Sequence, residues 1–134
     1  MYLAQKSGAD VDDDITATYL NDYINSPNTP GSKLYKQIVA KYDPGANPLD
    51  TDIEYGFANA WTMVQALKES GQNPTRQSFM SALTHMNAWK NPFLFTGVTM
   101  TTTPTERFPI DQQTLEQYKS GAWHPFGHLF SKAR

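Results

Sequence analysis

The longest helical pattern of the chain covers residues 51–70, where apolar side chains recur every three or four positions. This apolar stripe consists of Ile53, Phe57, Ala60, Trp61, Val64 and Leu67. Thr51 and Glu54 have the spacing of a capping box, in which two side chains satisfy free N–H groups at a helix start. Lys68 suits the negative end of the helix dipole, and Gly71 suits the left-handed position after a helix. The pattern predicts a helix over 51–70 whose stripe is buried and dominates the stability of the chain.

Two shorter helices are predicted on either side of this one. Residues 33–42 place Leu34, Tyr35, Ile38, Val39 and Tyr42 at helical spacing before Asp-Pro-Gly at 43–45. After Gly71, either Asn73 or Thr75 caps a third helix over 74–86, with Pro74 tolerated near its start. Its inner side carries Phe79, Met80, Leu83 and Met86.

Strand patterns flank the helices. Residues 15–20 combine β-branched and aromatic side chains between turn formers, and a loop with two prolines follows over 21–32. Residues 98–103 are also β-prone. Near the C-terminus, 112–118 and 122–126 predict a hairpin around Lys-Ser-Gly at 119–121. Pro125 lacks an N–H group, so the second hairpin strand is expected at a sheet edge or is ended early. The order of elements predicts an α/β chain.

Composition excludes several classes of function. The 134 residues carry 11 Lys and Arg against 13 Asp and Glu, which gives no basic surface for duplex nucleic acid. No run of apolar residues is long enough for a membrane span, and the N-terminus has no signal-peptide pattern. The absence of cysteine excludes disulfides, thiolate catalysis and cysteine-based zinc sites.

The remaining polar patterns do not indicate a catalytic or metal site. His124 and His128 have helical metal-ligand spacing, but Pro125 and the glycine that follows disfavour a helix there. His85 ends a predicted helix, and the acidic run at 12–14 lacks the spaced ligands of a calcium loop. No Gly-x-Ser-x-Gly elbow or phosphate-binding loop is present. We therefore predict neither a metal nor a cofactor, and no enzyme activity.

Several segments in a fixed order carry a family resemblance. The first has the sequences Tyr-Gly-Phe-Ala-Asn-Ala, Val-Gln-Ala-Leu-Lys-Glu-Ser-Gly and Asn-Pro-Thr-Arg, at 55–60, 64–71 and 73–76. The second has Gly-Val-Thr-Met-Thr-Thr, Pro-Thr, Phe-Pro-Ile and Trp-His-Pro-Phe-Gly, at 97–102, 104–105, 108–110 and 123–127. Together with the strand at 15–19, this order resembles the C-terminal third of ABC-transporter solute-binding proteins of the branched-chain amino-acid type. The resemblance covers roughly residues 8–130.

The resemblance implies part of a two-lobed fold. It implies the C-terminal portion of a type I periplasmic-binding-protein fold, with the central sheets incomplete. Residues 1–134 would form a single fragment, with 15–90 as the helical part of the first lobe and 97–130 as strands of the second. The function implied is non-catalytic, extracytoplasmic binding of an amino-acid-like solute and its delivery to an ABC permease. The location would be periplasmic or extracellular.

Tyr55 and Glu54 are the candidate ligand-binding residues. In the family, the segment that enters this helix lies at the cleft, where an aromatic ring covers an apolar ligand and its hydroxyl forms a hydrogen bond. Core or hinge packing is the alternative for Tyr55. Capping and interaction with the helix dipole are the alternatives for Glu54, as for Asp52. Phe57 and Trp61 are expected in the core rather than in the ligand wall.

A second functional hypothesis is a standalone interaction or oligomerisation module that has lost solute binding, and an enzyme is a third. Without the central strands, the stripe on helix 51–70 would expose aromatic faces, and the strands would have unpaired edges. We therefore expect self-association, as a symmetric dimer. We also expect weak or no binding of free leucine, because a cleft needs two lobes.

Overall fold

The computed structural model describes residues 8, 10–23, 26–47 and 50–131. The loop predicted over 21–32 includes residues 24 and 25, which lie outside the described residues. The elements in chain order are β1 (Ile15–Thr18), α1 (Pro30–Tyr42), α2 (Thr51–Glu69), α3 (Arg76–Thr84), β2 (Gln112–Lys119) and β3 (Ala122–Ser131). This confirms the predicted α/β class, with three helices and one antiparallel sheet over the described part of the chain.

Helix α2 begins at the predicted residue, ends at Glu69, one residue before the predicted end, and has a different N-cap. The Asp50 side chain accepts a hydrogen bond from the backbone N–H of Asp52 at 3.0 Å. Asp50 is therefore the N-cap residue, and the capping box predicted between Thr51 and Glu54 is wrong. Gly71 has a φ of 85°, which confirms the left-handed position after the helix.

The two shorter helices differ from prediction at their ends. Helix α1 already begins at Pro30, because Thr29 Oγ1 accepts from the N–H of Ser32 at 3.1 Å and proline fits the first turn. Helix α3 starts after Thr75, which exchanges hydrogen bonds with Ser78 in a capping box. This helix is shorter than the predicted 74–86 at both ends.

The sheet has the strand order β1-β2-β3, with both neighbouring pairs antiparallel. The hairpin closes at Ser120 and Gly121, both at positive φ. Strand β3 lies at an edge, as Pro125 indicates, yet it continues to Ser131. An edge strand tolerates the missing N–H group because one side of its backbone forms no ladder.

One predicted strand is absent from the described residues. Residues 98–103 form only an isolated bridge, in which Met100 and Trp89 exchange backbone hydrogen bonds of 2.9 Å. Thr102 Oγ1 accepts from the N–H of Met86 at 3.0 Å. This segment therefore closes a loop behind α3 instead of joining the sheet.

The core lies between α1, one side of α2 and the segment after α3. It consists of Tyr23, Tyr35, Val39, Ala58, Met86, Phe93, Leu94, Val98 and Met100. Asn91 connects this segment to α2, because its Nδ2 donates to the Ala58 carbonyl at 2.8 Å. The expectation that Trp61 is a core residue is wrong: it is 36% exposed and only borders the core. Val64 and Leu67 of the same stripe are also exposed.

Candidate functional site

The two predicted ligand-binding residues are neighbours on the first turns of α2, but their environments differ. The Tyr55 side chain is 48% exposed, whereas that of Glu54 is 2% exposed. Successive residues of a helix point in directions about 100° apart. The structure therefore turns Tyr55 towards solvent and Glu54 towards the interior.

Tyr55 lies near the segment that follows β1. Burial and the nearby Tyr55 raise the pKa of Tyr19. Tyr19 also accepts, through its backbone carbonyl, a 2.8 Å hydrogen bond from the N–H of Phe95. The start of α2, the segment after β1 and the loop after α3 thus meet around two tyrosines.

Glu54 is a buried carboxyl group with one oxygen atom that is unpaired among the described residues. Its Oε1 has no hydrogen-bond partner among the described residues. Burial, and then the nearby Asp22, raises its pKa to about 8. Ionisation is disfavoured because a buried carboxylate loses its hydration and lies close to another negative charge. Glu54 does not cap α2, because Asp50 is the N-cap residue of this helix.

A row of aromatic rings lies beside Glu54. Tyr23 and Tyr35 are stacked with centroids 4.4 Å apart, and Tyr35 meets Phe57 edge-on at 5.3 Å. Phe93 continues the row and contacts Trp61 edge-on at 6.0 Å. The pKa of Tyr23 and that of Tyr35 are raised by burial, with Glu54 among the further causes. These rings create the apolar surroundings that keep Glu54 away from water.

Glu116 is a second buried acid, and the sequence reasoning missed it. It lies in the middle of β2, is 4% exposed, and its Oε1 also has no partner among the described residues. Burial, and then Asp22, raises its pKa to about 7. The sequence gives no direct signal of this burial: alternation places Glu116 on the same face as Thr114 and Tyr118, but polar residues lie on both faces of β2.

The other polar candidates lie on the surface. His124 and His128 are exposed on β3, and Nδ1 of the exposed His85 lies 2.8 Å from the carbonyl oxygen of Ser81. Asp13 forms a 3.7 Å ion pair with Lys119. Over the described ranges, no group of three or more acidic, histidine or cysteine side chains is placed to hold a metal ion. Within the same ranges, no helix is long and apolar enough to cross a bilayer.

Known proteins resemble this chain in sequence pattern and in fold. The family model described as periplasmic binding protein matches residues 3–121. A crystal structure of a branched-chain amino acid ABC transporter from Thermus thermophilus with bound valine superposes with a TM-score of 0.79 at 23% identity. The superposed region covers 98% of this chain and 36% of the Thermus chain. This chain thus spans little more than a third of that protein's length. No curated protein matches the chain.

Proposed function

Since the chain belongs to the periplasmic binding protein family, we propose that it forms part of an extracytoplasmic receptor, which binds a small amphipathic solute for an ABC permease. The observation that carries the proposal is the pairing of an exposed Tyr55 with a buried Glu54 where α2 begins. The valine in the structurally similar Thermus protein supports an amino-acid-like solute. The role is binding without catalysis.

Tyr55 supplies the apolar contact of this site. Its ring is half-exposed at the start of α2 and lies near Tyr19. A tyrosine ring presents an apolar face and a hydroxyl that forms a hydrogen bond. Both properties suit a solute with an aliphatic side chain and a polar head. Glu54 supplies the polar group on the inner side of the same helix turn.

The proposed receptor encloses its solute between two lobes. Residues 15–90 contribute the helical part of the first lobe, and 97–130 contribute strands of the second. Affinity in such receptors comes from both lobes at once, when hinge closure brings them together. The described part of the chain therefore provides a portion of the cleft, and on its own it binds free leucine or valine only weakly.

Nuclear magnetic resonance titration tests this site directly. We expect L-leucine and L-valine to shift the backbone amide signals of residues 53–57, with saturation only in the millimolar range. Tyr55→Ala should abolish these shifts, whereas Tyr42→Ala, which removes an exposed tyrosine at the end of α1, should preserve them. Shifts confined to other parts of the chain, or micromolar affinity of the chain alone, would contradict the proposal.

A second candidate function is favoured by the side of α2 that faces away from the core. We call this side the outer face; it consists of Gly56, Ala60, Met63, Val64 and Leu67, all of them exposed. A contiguous apolar surface that stays exposed often marks an association surface. A Cβ atom at Gly56 would meet nothing within 4 Å, so another backbone has room to approach closely. This supports a module that pairs with a second copy of the chain.

A further inference from the structure

Four methionines lie in the described part of the chain, and their exposure divides them into two pairs. Met63 on α2 and Met80 on α3 are 53% and 41% exposed, whereas Met86 and Met100 are each 5% exposed. The chain has no cysteine, so its only sulfur atoms are those of methionine. An exposed thioether is open to oxidation, whereas a buried one is shielded from dissolved oxidants.

The environment of the Met100 sulfur contrasts with that of Met63. Thr62, the residue before Met63, donates a hydrogen bond from its Oγ1 to Met100 Sδ at 3.6 Å. Thr62 therefore points from α2 towards the core, while Met63 points towards solvent. Because Met100 is both buried and hydrogen-bonded at its sulfur, it provides an internal reference for the reactivity of Met63.

Met63 lies in the middle of the outer face of α2. Gly56 and Ala60 precede it and Leu67 follows it, at spacings of three or four residues that place them on one side of a helix. Residues 55–67 contain no charged side chain. A polar group on the Met63 sulfur would therefore interrupt the apolar surface at its centre.

We propose that Met63 is an oxidation site, and that its sulfoxide prevents self-association of the chain through the outer face of α2. This inference rests on the second candidate function, since it requires a second copy of the chain on that face. The oxidant is a hydroperoxide, of which hydrogen peroxide is the simplest.

The reaction transfers one oxygen atom to the methionine sulfur. A sulfur lone pair attacks one peroxide oxygen and forms the S–O bond, while the O–O bond breaks. The proton of the transferred oxygen joins the departing hydroxide, which leaves as water. The thioether loses two electrons and the peroxide gains them, so the products are methionine sulfoxide and water.

The sulfoxide opposes dimer formation because it replaces a flexible apolar side chain by a polar one. In a dimer, its oxygen would lie between two helices whose residues 55–67 carry no charged side chain. Burial would remove water from this oxygen without an equivalent donor in return. We expect the dissociation constant of the dimer to rise about tenfold or more.

Peroxide footprinting of the full chain locates the site. The chain is treated with hydrogen peroxide at protein concentrations below and above the dissociation constant of the dimer, and peptide mass spectrometry quantifies the sulfoxide at each methionine. In the dilute sample, we expect rapid oxidation of Met63 and Met80. Met86 and Met100 should remain largely reduced. In the concentrated sample, Met63 should become protected while Met80 remains reactive, because the dimer covers the outer face.

Sedimentation velocity before and after peroxide treatment measures the consequence. The parent dimer should dissociate as Met63 is oxidised. Met63→Leu keeps an apolar side chain that peroxide does not oxidise, so this variant should remain dimeric after treatment. Met80→Leu is the matched control and should dissociate as the parent does. Met63→Gln places a polar amide in the outer face and should be monomeric without peroxide, with a helical content that circular dichroism verifies as unchanged.

The outcomes separate this inference from the function on which it rests. A parent chain that is monomeric without peroxide would overturn both self-association and its control by oxidation. A dimer that persists after complete oxidation of Met63 would retain self-association and overturn the inference alone. Oxidation of Met63 as slow as that of Met100, or dissociation of the Met63→Leu variant by peroxide, would likewise overturn the inference alone.

Discussion

Glu54 and Glu116 show which single-residue properties the sequence reveals and which it hides. Resemblance to the family placed Glu54 in the segment that enters a cleft, but helix-start patterns suggested a capping role for it. The structure instead buries it beside Tyr23 and Tyr35, which come from elsewhere in the chain. Burial by residues far apart in sequence cannot be derived from local spacing. Glu116 was missed for the same reason, because a strand with polar residues on both faces does not indicate its buried side.

Ionisation of Glu54 should make the stability of the chain depend on pH. Its pKa is about 8 in the folded chain and near 4.5 when exposed. The folded state thus holds a proton that the unfolded state has already lost, and stability falls as pH rises through this window. We predict that the melting temperature decreases from about pH 5 to about pH 8. Glu54→Gln should flatten the decrease and stabilise the chain at the upper end, by an amount on the order of a few kcal/mol.

Differential scanning calorimetry over this pH range provides the measurement. Glu69→Gln is the matched control, since this exposed glutamate lies on the same helix and its replacement should leave the pH profile unchanged. A Glu54→Gln profile as steep as that of the parent would show that this carboxyl group does not titrate in the folded chain as proposed.

Replacement of glycine by alanine should have opposite effects on stability at two positions of the described helices. A Cβ atom on Gly31, in the first turn of α1, would overlap the carbonyl oxygen of Pro92. Gly56 in α2 has open space around it. We predict that Gly31→Ala destabilises the chain because α1 must move away from the loop after α3. Gly56→Ala should stabilise the chain by about 0.5–1 kcal/mol through helix propensity. Urea unfolding measures both changes, and equal effects of the two variants would contradict the packing of α1.

Helix α2 shows the limits of an element-scale prediction. Its bounds followed from periodicity and from Gly71, both of which are local properties. The direction of its buried side did not follow, because the apolar residues extend around most of the helix. The structure buries Ala58 and Ala66 while it exposes Val64. At Ala58 the segment after α3 approaches α2 closely, since Asn91 Nδ2 donates to the Ala58 carbonyl at 2.8 Å.

The sheet reveals a second limit at this scale. The hairpin was predictable because its turn and both strands are adjacent in sequence. The pairing of β1 with β2 joins parts of the chain that lie on either side of all three helices. No local pattern indicated this pairing, and the expected division into 15–90 and 97–130 assigned the two strands to different lobes. Residues 98–103 have the composition of a strand, but their neighbours in space leave only a bridge at Met100.

Phe93 rather than Trp61 is expected to dominate the stability of the core. Phe93 is 2% exposed and contacts both Phe57 and Trp61, whereas Trp61 is 36% exposed. We predict that Phe93→Ala lowers the free energy of unfolding by about 3–5 kcal/mol, which is typical of a buried aromatic. Trp61→Ala should have a clearly smaller effect. Chemical denaturation of both variants measures the two changes. If Trp61→Ala lowers the free energy of unfolding more than Phe93→Ala does, the core lies on the other side of α2.

At the scale of the whole molecule, the outer face of α2 determines whether the chain is a monomer or a dimer. Five exposed residues on one side of a helix form an apolar patch of the kind that marks an association surface. We predict that the chain forms a symmetric dimer and that Val64→Lys, which places a charge in the patch, makes it monomeric. Phe108→Lys, a change at a residue that is 80% exposed outside the outer face, should leave the dimer intact. Sedimentation velocity at micromolar concentration measures the oligomeric state of the parent chain and of both variants. A monomeric parent chain would contradict the prediction.

The proposal that this chain forms part of a solute receptor is tested most directly by a hybrid protein. In the Thermus protein, the region that superposes on this chain is replaced by residues 3–131, and valine and leucine binding are measured by calorimetry. We predict a folded hybrid that binds one of these amino acids with a single site and loses affinity on Tyr55→Ala. A folded hybrid that binds neither, or one whose affinity is insensitive to Tyr55→Ala, would contradict the account.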